Sequence, residues 1–71
     1  PLVEEFTQRE LDVAAAVARG LKNNAIADLL GISLETVKTH VGKAMDKLGA
    51  RDRTQMAVTA LLYGLIDPLD S

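Results

Sequence analysis

The chain has 71 residues, which is enough for one small domain and too few for a second hydrophobic core. Hydrophobic residues make up 48% of it, so we expect it to fold, and the absence of cysteine excludes disulfides and thiolate metal sites. The net charge of −2 is unevenly spread: residues 1–12 hold four acidic and one basic residue, whereas residues 38–53 hold five basic and two acidic ones. The positive charge therefore lies in one continuous segment, so nucleic-acid binding is compatible with the net negative charge.

No segment of the sequence predicts a membrane protein. The longest apolar stretch, residues 56–66, is too short to cross a bilayer, and no signal peptide is visible. The chain begins at Pro1 rather than at methionine, which indicates a fragment of a longer protein. We therefore expect a cytoplasmic protein in which residues 1–5 end an interdomain linker, residues 6–66 form the domain and residues 67–71 form a tail.

The first predicted helix begins at a capping box formed by Thr7 and Glu10. Phe6 just before it and Leu11 within it are spaced to form a hydrophobic staple. The helix is expected to run to about Arg19, where a glycine follows. By residue type Glu10 could serve as a general acid, but the capping box accounts for it.

A second, short helix is predicted over residues 23–30, and Gly31 ends it. Ser33 is suited to cap a third helix that continues to Leu48. A three-residue connection with a glycine first and an N-cap last is typical of a helix-turn-helix, although any tight helical hairpin can show it.

A fourth helix is predicted from Asp52 or Arg53 to Tyr63, followed by a glycine, and Pro68 prevents its continuation. Almost no stretch alternates apolar and polar residues as a strand would. The sequence thus predicts an all-α, four-helix bundle that contains a helix-turn-helix.

The third helix has one apolar and one polar face. At about 100° per residue, its buried stripe consists of Val37, Val41, Ala44 and Leu48. The opposite face carries Glu35, Thr39, Gly42, Lys43 and Asp46. A polar outer face alone shows only that the helix is solvated. Gly42 favours a binding role for this face, because a glycine in mid-helix destabilises the helix by roughly 1 kcal/mol relative to alanine. A close approach of the backbone to a partner would explain its presence.

Five blocks of the sequence, in order, resemble the LuxR-type helix-turn-helix of LuxR quorum sensors and NarL/FixJ response regulators. They are Thr7-Gln8-Arg9-Glu10, Gly20-Leu21-Lys22-Asn23-Asn24-Ala25-Ile26-Ala27, Ile32-Ser33, Thr36-Val37-Lys38-Thr39-His40-Val41 and Lys47-Leu48-Gly49-Ala50-Arg51-Asp52-Arg53-Thr54. The resemblance covers about residues 5–66.

This resemblance implies that the third helix enters the major groove of DNA. The residues it places at base edges are Lys38, Thr39 and Gly42. Those it places at the phosphate backbone are Asn23, Asn24, Thr36, His40, Lys43 and Arg51. For Arg51 and Arg53, an ion pair with Asp52 or Glu10 is an equal alternative to contact with phosphate. Where the family often has serine at the start of the second helix, this chain has Lys22, so that helix is expected to lack its usual cap.

The resemblance also implies partners. The partners are double-stranded DNA, a second copy bound through the fourth helix, and an N-terminal receiver or ligand-binding domain in the full-length protein. In the fourth helix the apolar stripe of Ala57, Ala60 and Leu61 serves either this dimer contact or core packing. No cofactor, metal or membrane is expected.

Two other functions stay open at this point. A promoter-reading domain of a sigma factor shares the Arg-Glu start and the Thr-Val-Lys segment, although the block after Leu48 and the fourth helix favour the LuxR type. A helical protein-interaction module that has lost DNA binding fits the acidic balance. An enzyme is not expected, because no nucleophile–base pair, phosphate loop or metal-ligand spacing occurs and His40 is the single histidine.

Overall fold

The computed structural model describes residues 6–64, which form four α-helices. Helix α1 spans Gln8–Ala18, α2 spans Asn23–Leu30, α3 spans Leu34–Leu48 and α4 spans Arg53–Leu62. The all-α fold is confirmed, and α2 and α3 begin and end where the sequence predicted. Helices α1 and α4 each stop one residue earlier, with Arg19 and Tyr63 as their C-caps. The predicted linker, the last two residues of the predicted domain and the predicted tail lie outside the described residues.

Side-chain caps define where three of the helices begin. The Thr7 hydroxyl accepts from the backbone N–H of Glu10 at 3.1 Å, and the Glu10 carboxylate accepts from the N–H of Thr7 at 3.0 Å, which confirms the capping box. Ser33 caps α3, and Asp52 caps α4 by accepting from the N–H of Gln55 at 2.8 Å. Each cap satisfies an N–H group that the helix itself leaves free.

The core lies where α1 packs against α3 and α4, while α2 packs on α3. Its largest fully buried side chains are Ile26, Met56, Val13 and Val37. Phe6 is also buried, and Leu11 packs against the same core, so both residues of the expected staple face inward. Because α3 contacts every other helix through one face, its opposite face is left for a partner. Within residues 6–64 no helix is both long and apolar enough to cross a bilayer.

A buried ion pair joins the first turn of α1 to the last turn of α3. The Glu10 side chain is only 3% exposed, and its carboxylate accepts a hydrogen bond from Lys47 Nζ at 2.5 Å. The same ammonium lies 5.6 Å from the centroid of the Phe6 ring. The hydrogen bonds from Lys47 and from the Thr7 N–H hold the pKa of Glu10 below its usual 4.5. Capping is therefore only part of what Glu10 does, since it also anchors α3.

Candidate nucleic-acid interface

The connection between α2 and α3 fixes how the two helices lie relative to each other. Gly31 adopts φ +68°, a left-handed conformation that favours glycine, and so turns the chain out of α2. The N–H of Ile32 then donates to Ala27 O at 3.1 Å, and the Ile32 side chain packs against the core. Ser33 starts α3 immediately afterwards. The predicted helix-turn-helix is present, with its turn held by both hydrogen bonding and burial.

The three residues expected at base edges all lie on the exposed face of α3. Lys38 is exposed and forms no ion pair with any described residue. Thr39 is exposed too, but its hydroxyl donates to Glu35 O at 3.1 Å, which leaves its methyl group and its oxygen lone pairs for a partner. Gly42 is exposed with open space where a Cβ would stand. Together these three residues offer one long cationic donor, one methyl group and one stretch of bare backbone.

Thr36 and His40 are partly committed inside the domain. The hydroxyls of Thr36 and Ser33 lie 2.8 Å apart and share a hydrogen bond as part of the α3 cap. His40 is half-buried, and its Nδ1 is buried without a hydrogen-bond partner. A phosphate contact from His40 therefore has to come from Nε2. Lys43, by contrast, is exposed and forms no ion pair with the rest of the described chain.

A concave surface runs between the start of α2, the start of α3 and the start of α4. The residues that line it are Lys22, Asn23, Asn24, Leu34, Lys38 and Arg53. Three of the six are cationic and none is acidic, so the surface is positive although the chain is net negative. We refer to it below as the cationic groove.

The start of α2 contributes backbone donors to the cationic groove. Its N-cap is Lys22, whose side chain makes no capping hydrogen bond, as the sequence led us to expect. A lysine at the positive end of a helix dipole is unfavourable unless an anion lies nearby. Asn24 is exposed, and its side-chain oxygen accepts from the N–H of Ala25 at 3.0 Å. This arrangement suits an anion such as a phosphate group.

Arg53, in the first turn of α4, links the start of α4 to the start of α2 in the cationic groove. Its guanidinium donates to Asn23 Oδ1 and to Leu21 O, each at 2.6 Å. Of the two alternatives left open for Arg53, pairing with Asp52 or Glu10 is not observed, because those carboxylates serve as the α4 cap and as the partner of Lys47. Arg51 is exposed, and among the described contacts only its backbone N–H bonds, to Gln55 Oε1 at 2.6 Å.

Helix α4 presents an exposed apolar stripe next to its buried face. Ala60 is fully buried and Ala57 packs against the core, so for these two the structure supports the core-packing alternative. Leu61 is 42% exposed, and Val58 and Leu62, at 51% and 78%, lie beside it at helical spacing. These last three residues form what we call the α4 stripe.

Some residues of the site were not found from the sequence. Lys22 and Leu34 were not expected to line it, and Arg53 was not expected to hold Asn23. Val58 and Leu62 were not included in the apolar stripe of α4. Their i, i+3, i+4 spacing with Leu61 was visible in the sequence, but the side of α4 that packs on α1 was not.

Comparison with known proteins identifies the family. Residues 4–60 match the family described as bacterial regulatory proteins, luxR family. The chain is 48% identical over 65 residues to the transcriptional regulatory protein YxjL of Bacillus subtilis, covering 92% of this chain and 30% of that protein. It is 40% identical over 65 residues to the response regulator VraR of Staphylococcus aureus, covering 92% and 31%. The chain thus spans about a third of the length of these relatives.

The fold is also found in solved structures, among them VqmA and GerE. VqmA of Vibrio cholerae, described as a LuxR-type receptor whose dimer changes conformation in the absence of target DNA, superposes with a TM-score of 0.80 at 35% identity, covering 84% of this chain and 27% of VqmA. The transcription factor GerE superposes with a TM-score of 0.77 at 29% identity, covering 87% and 92%. These matches decide between the LuxR-type and sigma-factor alternatives in favour of the first. The chain belongs to the luxR family of bacterial regulatory proteins and is one of its helix-turn-helix DNA-binding domains.

Proposed function

We propose that this domain reads a specific sequence in the major groove of DNA with α3 and docks on the flanking phosphates with the cationic groove. The observation that carries this proposal is the continuity of the two surfaces. Lys38 belongs to both, since it lines the cationic groove and stands on the exposed face of α3. A helix in the major groove with its N-terminal half at the base edges, beside a second helix on the backbone, is the docking geometry of helix-turn-helix proteins.

Each side chain then has a distinct role. Lys38 donates to guanine O6 or N7, and the methyl group of Thr39 contacts a thymine methyl. Asn24 and the free N–H groups at the start of α2 bind a phosphate, as helix N-termini do. Asn23 supports them with its amide, while its oxygen is held by Arg53. Thr36, Lys43, Arg51 and Nε2 of His40 extend the phosphate contacts.

We further propose that two copies bind one pseudo-palindromic site through the α4 stripe. Its three large apolar side chains are 42–78% exposed in the single domain, and no described residue covers them. Pairing there would place one α3 in each half-site, with the half-site centres about 34 Å apart along the DNA. A dimer also compensates for a monomer with few cationic contacts, because two linked sites bind far more tightly than one.

The relatives are about three times as long as this chain, and one of them is named a response regulator. We propose that this domain is likewise the output part of a longer cytoplasmic transcription regulator. A receiver or ligand-binding domain on its N-terminal side would control the pairing of the two copies. DNA binding, rather than catalysis, is the activity proposed for the chain.

Selection from random duplex DNA, followed by a salt titration of the enriched duplex, tests this function. We expect an inverted repeat to be enriched, with log K falling by about 0.9 per phosphate contact for each unit of log salt. Lys38→Ala should lower affinity for the selected site by about 1–3 kcal/mol and relax one base position. Lys43→Ala is the matched control, since it should weaken binding to all sequences equally and reduce the salt slope by about 1.

Two results would contradict the proposal. Absence of enrichment, with flat and weak binding to every duplex even for a covalently joined dimer, would favour the protein-interaction alternative. Selective binding that Lys38→Ala leaves unchanged would show that α3 reads DNA through another face.

A further inference from the structure

Gly42 is the one described glycine that the fold does not require. Gly20, Gly31, Gly49 and Gly64 all follow helices and have φ between +68° and +88°. Gly42 lies inside α3 with ordinary helical φ, and a Cβ built on it meets nothing within 4 Å. Alanine would fit there and would favour the helix. Nothing within residues 6–64 therefore requires glycine at this position.

The neighbouring Thr39 is the residue whose contact with a partner would depend most on a close approach of α3. It stands three residues earlier, on the same face of α3, and its hydroxyl donates to Glu35 O. What Thr39 offers a base is then mainly its methyl group, which must come within about 4–4.5 Å of its partner to make contact. Lys38 has a long side chain and can reach a base from further away, but the short threonine side chain cannot.

From this we infer that Gly42 is a positioning residue, which lets the backbone of α3 lie close to the base pairs so that Thr39 can touch a thymine methyl. Glycine is the residue that permits such close approach of a backbone to a ligand. A side chain at position 42 would stand one turn along the same face, between the backbone of α3 and the base pairs that Thr39 has to reach. The inference rests on the proposed function, because it presupposes that α3 enters the major groove.

The alternative is that Gly42 is an exposed glycine of no consequence. The two cases predict the same effect of Gly42→Ala on stability but different effects on DNA affinity. An idle glycine replaced by alanine should give a more stable domain with unchanged DNA binding. A glycine needed for close approach should give a more stable domain with weaker DNA binding, since stability depends on the helix and affinity on the space above it.

The test compares the chain with Gly42→Ala and Gly42→Leu. The melting temperature is followed by circular dichroism, and the affinity is measured on the duplex enriched by the unaltered chain. We expect both variants to melt at higher temperature. We expect Gly42→Ala to lose about tenfold in affinity and Gly42→Leu to lose more. The salt slope should stay the same in all three proteins because no charge changes.

Replacing each thymine of the selected half-site by uracil, which removes only the methyl group, adds a readout specific to Thr39. In the unaltered chain one such replacement should weaken binding several-fold. In Gly42→Ala the same replacement should have no further effect, because the methyl contact is already lost.

The outcomes separate the two proposals. If the unaltered chain selects no sequence, the proposed function fails and the role of Gly42 fails with it. If the unaltered chain is selective and Gly42→Ala binds equally well or better, the inference about Gly42 alone is overturned. A lower melting temperature for Gly42→Ala would also overturn it, since the fold would then need the glycine.

Discussion

Replacing Glu10 by glutamine tests the ion pair that anchors α3 to α1. Glutamine has nearly the same volume, and glutamine at this helix position is an accepted member of a capping box. The change therefore keeps the hydrogen bond to the N–H of Thr7 and removes only the negative charge that faces Lys47. The free energy of unfolding should report the pair almost alone.

The expected magnitude follows from how deeply the two groups are buried. Removing one partner from a fully buried pair costs about 3–5 kcal/mol, whereas an exposed pair is worth about 0.2–1 kcal/mol. The Glu10 side chain is 3% exposed and the Lys47 side chain 31%, so Lys47 regains part of its hydration when the charge is lost. We expect Glu10→Gln to lower the free energy of unfolding by about 2 kcal/mol at pH 7, or roughly 10 °C in melting temperature.

The pH dependence provides an internal control. The pKa of Glu10 is lower in the folded chain than its usual 4.5, so the carboxylate stabilises the fold fully above that pH. As the pH falls through the lowered folded-state pKa, Glu10 becomes protonated and the stabilisation is lost. Urea unfolding at a series of pH values should therefore show that the difference in free energy of unfolding between the unaltered chain and Glu10→Gln shrinks below about pH 4.5.

Lys47→Met and the double variant complete the measurement. Methionine keeps an apolar chain near Phe6, so the cycle isolates the ion pair and should give a coupling energy of about 1–2 kcal/mol. A gap that stays constant down to the lowest pH, or a coupling near zero, would show that Glu10 acts through packing and capping alone.

Two further changes test the remaining anchors. Arg53→Ala should lower the free energy of unfolding in urea by about 2–3 kcal/mol, because two charge-assisted hydrogen bonds are lost. Arg53→Lys should restore less than half of that loss, since one ammonium cannot replace a guanidinium fork. Equal stability of all three proteins would refute this. Leu62→Glu on the α4 stripe should abolish self-association in sedimentation equilibrium. The free energy of unfolding should change by less than about 0.5 kcal/mol, because Leu62 is 78% exposed. A variant that still dimerises would exclude the stripe as the interface.

The helices could be predicted from the sequence because their signals are local. The Thr7–Glu10 capping box spans four residues, and Gly31 and Ser33 flank a single tight turn. Each signal acts through the backbone of its immediate neighbours, so it is readable without knowing how the helices pack. The exposed face of α3 could be predicted for the same reason, since one apolar stripe determines which residues are turned outward.

The long-range contacts could not be predicted in this way. Lys47 and Glu10 are 37 residues apart, and Arg53 reaches Asn23 over 30. Several acceptors were open to each cation, and only the packing of the four helices on one another selects one of them. Ala60 illustrates the same limit, because the helical spacing in α4 showed an apolar stripe but not which part of it the core covers.

The anchoring contacts and the groups proposed to face DNA are largely different atoms. Lys47 and Glu10 hold the end of α3, the Ser33 cap holds its start, and Arg53 fixes the start of α2. These contacts leave Lys38 without an ion pair in the described chain, so the proposed contact with DNA would not require breaking one. A surface held in place before binding loses less conformational entropy on docking. Arg53 has both roles, because its donors bond within the domain while its charge still contributes to the cationic groove. Its loss should therefore weaken both stability and DNA binding, whereas the loss of Lys38 should weaken DNA binding alone.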